Sequence, residues 1–144
     1  MRDFSRSLQD FGTVLPDLDA IMCAMRPVER LDAYRLAKSV AVRVCIACDQ
    51  PSLKAKKSVA DQLIRAAMSV PANIAEGYAL GTKLQLIKFY RIALASNEEL
   101  RTHIDIATST GMIKDPDPTL DADMPRVTSM LVGLLKRYGA RPTS

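Results

Sequence analysis

A proline inside a helix-forming segment constrains the fold of this chain more than any other feature. Between residues 56 and 75 the apolar side chains recur at steps of three and four, the spacing of one face of an α-helix, and Pro71 falls inside this pattern. Proline removes one backbone donor and clashes with the preceding turn, at a cost of about 3 kcal/mol in a helix interior. We therefore expect a kinked helix that packs tightly against its neighbours.

Similar apolar spacing predicts three further helices, and no segment has the alternation of a strand. Thr82 and Ser52 are suitable N-caps, whereas Gly77, Gly111 and Gly139 fit helix ends. The four helices are predicted at 30–49, 53–76, 82–110 and 124–138, with an extended linker at Asp115–Pro118. Short connections favour antiparallel neighbours, so the prediction is an all-α, up-and-down four-helix bundle over residues 30–139 with a kinked second helix.

The two ends of the chain fall outside the predicted bundle. Residues 1–29 form an N-terminal extension with a weak apolar stripe that Gly12 and Pro16 interrupt. The pattern leaves open a short extra helix or a tail that orders only against a partner. Residues 140–144 are predicted to be a C-terminal tail. No signal-peptide layout and no apolar run of about 18 residues is present, so we predict a cytoplasmic protein without membrane association.

The first predicted helix is apolar over more than one face. From Val40 to Cys48 the only polar side chain is that of Arg43, whereas a surface helix of a monomer carries an apolar stripe about 100° wide. Either this helix is central in the bundle or its outer face contacts another subunit. We favour the second explanation, because a four-helix bundle has no fully enclosed helix, and we predict a homo-oligomer.

Positive charge is concentrated in the first half of the chain. The net charge is +4, and residues 26–65 carry nine basic but only four acidic residues. The acidic counterpart is the segment from Asp115 to Asp123. Such polarity can attract polyanions, although ordinary solvated helices show it as well. The candidate phosphate-binding residues are Lys54, Lys56, Lys57, Arg65, Lys83, Lys88 and Arg91.

No residue pattern indicates catalysis, a metal or a cofactor. Cys45 and Cys48 have redox-pair spacing, but they lie at the end of an apolar helix, where the helix dipole disfavours a thiolate, so we expect core cysteines. His103 is the only histidine and is predicted at a helix surface position. The chain is therefore predicted not to be an enzyme, with no bound metal and no cofactor.

The segment from Gln62 to Gly77, QLIRAAMSVPANIAEG, resembles the signature of the 23S rRNA intervening sequence proteins. FYRIALAS at 89–96 and LDAYRLA at 31–37 are similar to the third and first helices of that family. The resemblance covers residues 31–113. It marks Pro71, Asn73, Glu76 and Gly77 as structural signature residues. We expect Asn73 to donate to backbone carbonyls near the proline and Glu76 to pair with Arg65 or Arg91.

The resemblance implies a four-helix bundle that assembles as a ring of five, encoded within or beside bacterial rRNA genes. A related branch is the accessory variability determinant of diversity-generating retroelements, which binds nucleic acid and partners a reverse transcriptase. Family members often carry consecutive arginines at the position of Ile64 and Arg65, and a basic residue at that of Leu80. Both changes reduce the positive charge of this chain.

Two functions are compatible with these observations. The first is a non-enzymatic, homo-oligomeric accessory protein that binds RNA or a ribonucleoprotein through basic surfaces. The second is a homo-oligomeric scaffold that holds a protein partner and binds no nucleic acid. Few aromatic side chains lie near the basic residues, with Tyr78 and Tyr90 as the candidates, so any nucleic-acid binding is expected to be electrostatic.

Overall fold

Helices account for most of the described chain. The structure, a computed structural model, describes residues 26–140, and no strand occurs among them. The elements are a 3₁₀ helix (Arg26–Arg30), α1 (Asp32–Cys48), the short α2 (Pro51–Lys54), α3 (Lys57–Leu80), α4 (Lys83–Ser109) and α5 (Pro118–Arg137). The all-α prediction with four long helices is confirmed. The predictions for residues 1–25 and 141–144 lie outside the described residues.

The core consists of two layers along the bundle. One layer joins the second half of α1 and the first half of α3 to Leu100 and Ile104 of α4 and to the start of α5. The other joins the first half of α1 and the second half of α3 to Tyr90 and Ala93 of α4 and to the rest of α5. Helix α3 passes α4 in the opposite direction, since Ser69 contacts Ser96 whereas the later Gly77 lies against the earlier Phe89. The complete up-and-down order stays a prediction.

Helix α3 continues through Pro71 as one helix of 24 residues. The Asn73 side-chain amide donates to the Ser69 carbonyl oxygen at 2.7 Å and to Ser69 Oγ at 3.0 Å. Ser69 Oγ in turn lies 2.9 Å from Ser96 Oγ on α4. Because Pro71 has no backbone N–H, the carbonyl of Ala67, four residues earlier, loses its helical donor. The Asn73 amide does not replace that donor, since it donates to Ser69 instead. It ties the turn around the proline to the neighbouring helix.

The predicted end of α3 at Gly77 is wrong. Gly77 is buried within the helix, and α3 ends only at Leu80, followed by Gly81, whose φ of 69° is the left-handed conformation of a helix C-cap. The reason for a glycine at 77 is packing: a Cβ there would lie 2.9 Å from the Phe89 Cβ. Glycine at this position lets α4 approach the backbone of α3.

Two predicted helix starts also need correction. The second long helix begins at Lys57 rather than near Leu53, because Pro51–Lys54 forms a separate short helix with Pro51 in its first turn and Leu53 buried. Helix α5 begins at Pro118 rather than near Met124. Asp117 caps it by accepting from the Thr119 backbone N–H at 2.9 Å, and proline is favoured in a first helical turn. The predicted cap Thr82 is confirmed, since it accepts from the Gln85 backbone N–H.

Candidate nucleic-acid interface

The first group of candidate residues, the lysine cluster, consists of Lys54, Lys56 and Lys57 at the junction of α2 and α3. All three side chains are exposed. Lys54 Nζ lies 3.0 Å from Asp49 Oδ1, and Lys57 Nζ lies 3.2 Å from Asp61 Oδ2. None of the ion pairs among residues 26–140 includes Lys56. Local carboxylates therefore balance two of the three positive charges, and Lys56 supplies most of the net charge of the cluster.

A second basic group lies at the opposite end of α3. Lys83 begins α4, and its Nζ lies 3.6 Å from the position that a Cβ on Gly139 would occupy, just beyond the end of α5. Lys136 and Arg137 form the basic last turn of α5. All three side chains are exposed, and within the described part of the chain none of them forms an ion pair. We call Lys83, Lys136 and Arg137 the basic end.

Sequence reasoning missed Lys136 and Arg137. Their signal was present as two adjacent basic residues in the last turn of an amphipathic helix. Such residues are usually explained by favourable interaction with the helix dipole, so they do not by themselves indicate a ligand. Lys136 and Arg137 are grouped with Lys83 only because Lys83 lies close to the C-terminus of α5.

The seven predicted residues do not form one surface. Helix α3 has 24 residues, so about 36 Å separates the lysine cluster at its start from the basic end near its finish. Arg65, Lys88 and Arg91 are exposed along α3 and α4 between the two ends. Lys88 Nζ lies 5.5 Å from the centre of the Phe89 ring. The structure thus offers two separate basic regions joined by scattered cations.

One of the two predicted stacking candidates, Tyr90, is inaccessible to a nucleic-acid base. Tyr90 is only 1% exposed, and its ring packs edge-on against Tyr138 with centroids 6.3 Å apart. Burial, with smaller contributions from Tyr138 and Tyr78, raises the pKa of Tyr90 to about 12. Tyr78 and Tyr138 are half-buried. Base stacking on Tyr90 is therefore excluded by its position in the core.

Arg43, the one polar residue in the apolar run of α1, is bound to the acidic segment. Its guanidinium donates to Asp123 Oδ2 at 2.6 Å and to the Thr119 hydroxyl, and it lies 3.5 Å from Asp117 Oδ2. Hydrogen bonds from Thr119, and then the charge of Arg43, hold the pKa of Asp117 below its usual value. The basic and acidic parts of the sequence are thus partly neutralised against each other through Arg43.

Glu76 is exposed. One of the two partners expected of it, Arg65, is out of reach. Arg65 lies eleven residues earlier on the same helix, about 16 Å along the axis, which is beyond the reach of two side chains that would have to meet. The exposed Glu76 therefore does not pair with Arg65, and its pairing with Arg91 stays a prediction.

The remaining chemical candidates occupy structural positions. Cys48 is buried, and burial raises the pKa of its thiol, the opposite of the activation that a redox thiol requires. His103 is half-buried rather than on the surface as predicted, with its Nε2 3.5 Å from Glu99 Oε1. Between residues 26 and 140 no three potential metal-ligating side chains cluster together.

Comparison with known proteins supplies the family. A model of the 23S rRNA-intervening sequence protein family matches residues 29–133. The chain belongs to this family. A comparison with curated proteins finds no match. As a 23S rRNA-intervening sequence protein, it carries the lysine cluster and Lys83 inside the matched region, whereas Lys136 and Arg137 lie beyond it.

None of the helices that the structure describes in this family member contains a stretch long and apolar enough to cross a bilayer.

Proposed function

We propose that this protein is a non-enzymatic, homo-oligomeric accessory protein that binds RNA or a ribonucleoprotein through its basic surfaces. The observation that carries the proposal is the basic end, where Lys83 lies beside the C-terminus of α5, whose last turn carries Lys136 and Arg137, and none of the three has a carboxylate partner among the described residues. The membership of an rRNA-related family agrees with it. The basic end supplies phosphate contacts, and these give affinity that is independent of sequence.

The shape of the surface favours backbone over base contacts. Lysine and arginine side chains on helix ends reach phosphates of a folded or duplex RNA, and the two half-buried tyrosines offer little stacking area. The molecule is therefore proposed to recognise charge and shape. We expect RNAs of different sequence but similar fold to bind with similar affinity.

Self-association adds to this function. Val42 and Ile46 on the outer side of α1 are 50% and 61% exposed, an unusual position for two large apolar side chains separated by one helical turn. A ring of identical subunits, five by family resemblance, would present the basic end repeatedly. Repetition raises the overall affinity for a long polyanion without any new contact within one subunit.

The alternative function is a scaffold that holds a protein partner and has no affinity for nucleic acid. The exposed apolar side chains of α1 favour it equally, since they suit a protein interface and not a phosphate backbone. The two functions differ in one measurable property, which is salt-sensitive binding of nucleic acid.

Fluorescence anisotropy of a labelled structured RNA and a labelled single-stranded DNA, titrated with protein at low and moderate salt, tests the proposal. Two triple variants serve as matched controls for each other, because each reverses three charges: Lys83→Glu with Lys136→Glu and Arg137→Glu, and Lys54→Glu with Lys56→Glu and Lys57→Glu. We expect the wild type to bind and the basic-end variant to lose at least tenfold in affinity, with a smaller loss in the lysine-cluster variant.

The outcomes separate the two functions. No binding of either nucleic acid at low salt overturns the proposal and favours the scaffold. Binding that both variants retain at wild-type affinity also overturns it, since neither basic region would then contact the ligand. A loss confined to the lysine-cluster variant would keep the function and move the interface to the other end of the bundle.

A further inference from the structure

An open apolar groove runs between α1 and α3 on the outside of the bundle. Val42, Ile46 and Met68 line it and are 50%, 61% and 56% exposed, and Pro71 and Ala72 contribute to its α3 wall. The groove has a volume of about 460 Å³. Lys38 is the one charged side chain among the residues that line it. A surface of this kind on a folded chain indicates an interface.

A second outward-facing surface lies on α4. Ile92, Ala95, Glu99, Thr102 and Ile106 follow one another at steps of three and four, so they share one face of the helix. All five are exposed, with Ile92 and Ile106 at 38% and 54%. The buried residues of α4, among them Ala93 and Leu100, occupy the opposite face. We call this face the α4 stripe.

The groove and the stripe match in length and charge. Ile92 and Ile106 are fourteen residues apart, or about 21 Å, and the groove extends along α1 from Tyr34 to Ile46, or about 18 Å. Glu99 lies midway along the stripe, and Lys38 is the only charged residue among the described residues that line the groove. Small side chains at Ala95 and Thr102 permit the close approach that helix packing into a groove requires.

We propose that the α4 stripe of one copy of this chain lies in the α1–α3 groove of a second copy. The inference rests on the self-association in the proposed function and assigns the surfaces that mediate it. Because the groove and the stripe are different surfaces of one subunit, each copy keeps a free groove or a free stripe after one contact forms. The contact is therefore head-to-tail, and such contacts continue until a ring closes.

Two single substitutions test the two surfaces separately. Ile46→Glu places a charge in the groove, and Ile106→Glu places one on the stripe. Leu80→Glu is the matched control, since Leu80 is 48% exposed and belongs to neither surface. All three positions are exposed, and circular dichroism verifies that each variant retains its helical content. Light scattering at micromolar concentration should give an oligomer for the wild type and Leu80→Glu, and the 15.8 kDa monomer for the other two.

Mixing the two monomeric variants tests the head-to-tail geometry. The Ile46→Glu protein keeps an intact stripe and the Ile106→Glu protein an intact groove, so a mixture at hundreds of micromolar should form one heterodimer of twice the subunit mass. A contact between two grooves or between two stripes would give no such rescue. A mixture that remains monomeric at this concentration overturns the head-to-tail assignment.

Thiol labelling provides an independent readout, because Cys45 lies in the groove and is half-buried. Maleimide labelling of Cys45, followed by peptide mass spectrometry to distinguish it from Cys23 and Cys48, should be at least fivefold faster in Ile106→Glu than in the wild type. The substitution is on the stripe, so faster labelling reports that a neighbour has left the groove. Equal rates overturn the proposal.

The failure of this inference is distinguishable from that of the proposed function. A wild type that is monomeric overturns self-association and the surface assignment together. A wild-type oligomer that persists in both Ile46→Glu and Ile106→Glu overturns only the assignment. Slow Cys45 labelling in a monomeric wild type would show that another part of the same chain covers the groove, which also contradicts the proposal. RNA binding, the other part of the proposed function, is tested separately by the anisotropy titrations.

Discussion

At the scale of single residues, Gly77 shows how a helix-ending signal can have another cause. Glycine after an apolar run usually marks a left-handed cap, and Gly77 follows such a run directly. In the structure the cap is four residues later, at Gly81, and Gly77 is a contact point between α3 and α4. The sequence contains both glycines, but only the position of Phe89 on the neighbouring helix distinguishes their roles.

We expect Gly77→Ala to destabilise the fold. Alanine is the better helix former by about 1 kcal/mol, but its Cβ would lie 2.9 Å from the Phe89 Cβ, which is not the movable end of a side chain. Forcing α3 and α4 apart should outweigh the propensity gain and lower the free energy of unfolding by about 1–3 kcal/mol. Urea denaturation followed by circular dichroism measures it.

Gly133→Ala is the control for this substitution. Gly133 lies within α5, and nothing approaches a Cβ there within 4 Å, so only the helix propensity changes. The control should be more stable than the wild type by up to about 1 kcal/mol. If Gly77→Ala is stabilised as much as Gly133→Ala, the close approach of Phe89 does not constrain the packing of these two helices.

At the scale of helices, the positions of the long apolar segments were predictable, whereas the starts of α3 and α5 were not. Periodicity reports which residues share a face, but a helix start depends on a cap, and a cap depends on local hydrogen bonds. The Asp-Pro repeat before α5 was interpreted as a linker, because proline ends helices more visibly than it begins them. In the structure Asp117 and Pro118 form an N-terminal cap, and α5 gains six residues over the prediction.

Helix α5 also provides the hydrogen-bond partners of a buried polar residue, Asn97, which no local sequence pattern indicates. Asn97 on α4 is buried, and its amide donates to the Met124 carbonyl oxygen at 2.9 Å and to Thr128 Oγ1 at 3.0 Å on α5. The spacing of Asn97 from Ala93 and Leu100 places it on the apolar face of α4 and does not indicate a polar partner. Its partners on α5 are 27 and 31 residues away, so only the packing of the two helices brings them together.

We expect Asp117→Asn to reduce stability at neutral pH and to have less effect in acid. Hydrogen bonds from Thr119, and then the nearby Arg43, lower the pKa of Asp117 in the folded state. Because the folded pKa lies below the unfolded one, the contribution of the carboxylate is complete above the unfolded value, near 3.8, and is lost as the pH falls through the folded value.

Thermal unfolding of the wild type and Asp117→Asn from pH 7 down to pH 3 measures this contribution. The difference in Tm should be constant down to about pH 5 and should narrow below it. Asp115→Asn, at an exposed position just before the cap, provides the control and should follow the wild type. A Tm difference that stays the same at every pH would show that the charge of Asp117 does not contribute to the cap.

At the scale of the whole molecule, the family and the helical class followed from the sequence, whereas the charge distribution did not. The signature around Pro71 depends on contiguous residues, and contiguous residues can be compared directly. A basic surface depends on which carboxylates fold next to which cations. Asp49 and Asp61 neutralise much of the lysine cluster, and the C-terminus of α5 adds two cations to Lys83. Neither effect is local in the sequence.

This difference between the two basic regions predicts how RNA affinity depends on salt. The logarithm of the binding constant falls linearly with the logarithm of salt concentration, with a slope of about −0.7 to −0.9 per neutralised phosphate. Neutralising the basic end with Lys83→Gln, Lys136→Gln and Arg137→Gln removes three cations without carboxylate partners among the described residues, so the slope should become shallower by about 2 to 3. Anisotropy titrations over a series of salt concentrations measure it.

The lysine cluster should behave differently under the same neutralisation. Lys54 and Lys57 already face Asp49 and Asp61, so an RNA phosphate that replaces either carboxylate gains little from the exchange. Lys54→Gln with Lys56→Gln and Lys57→Gln should therefore make the slope shallower by only about 1, the contribution of Lys56. Equal changes for the two triple variants would show that surface ion pairs do not limit phosphate binding here. A larger change for the lysine cluster would place the RNA at the start of α3 rather than at the basic end.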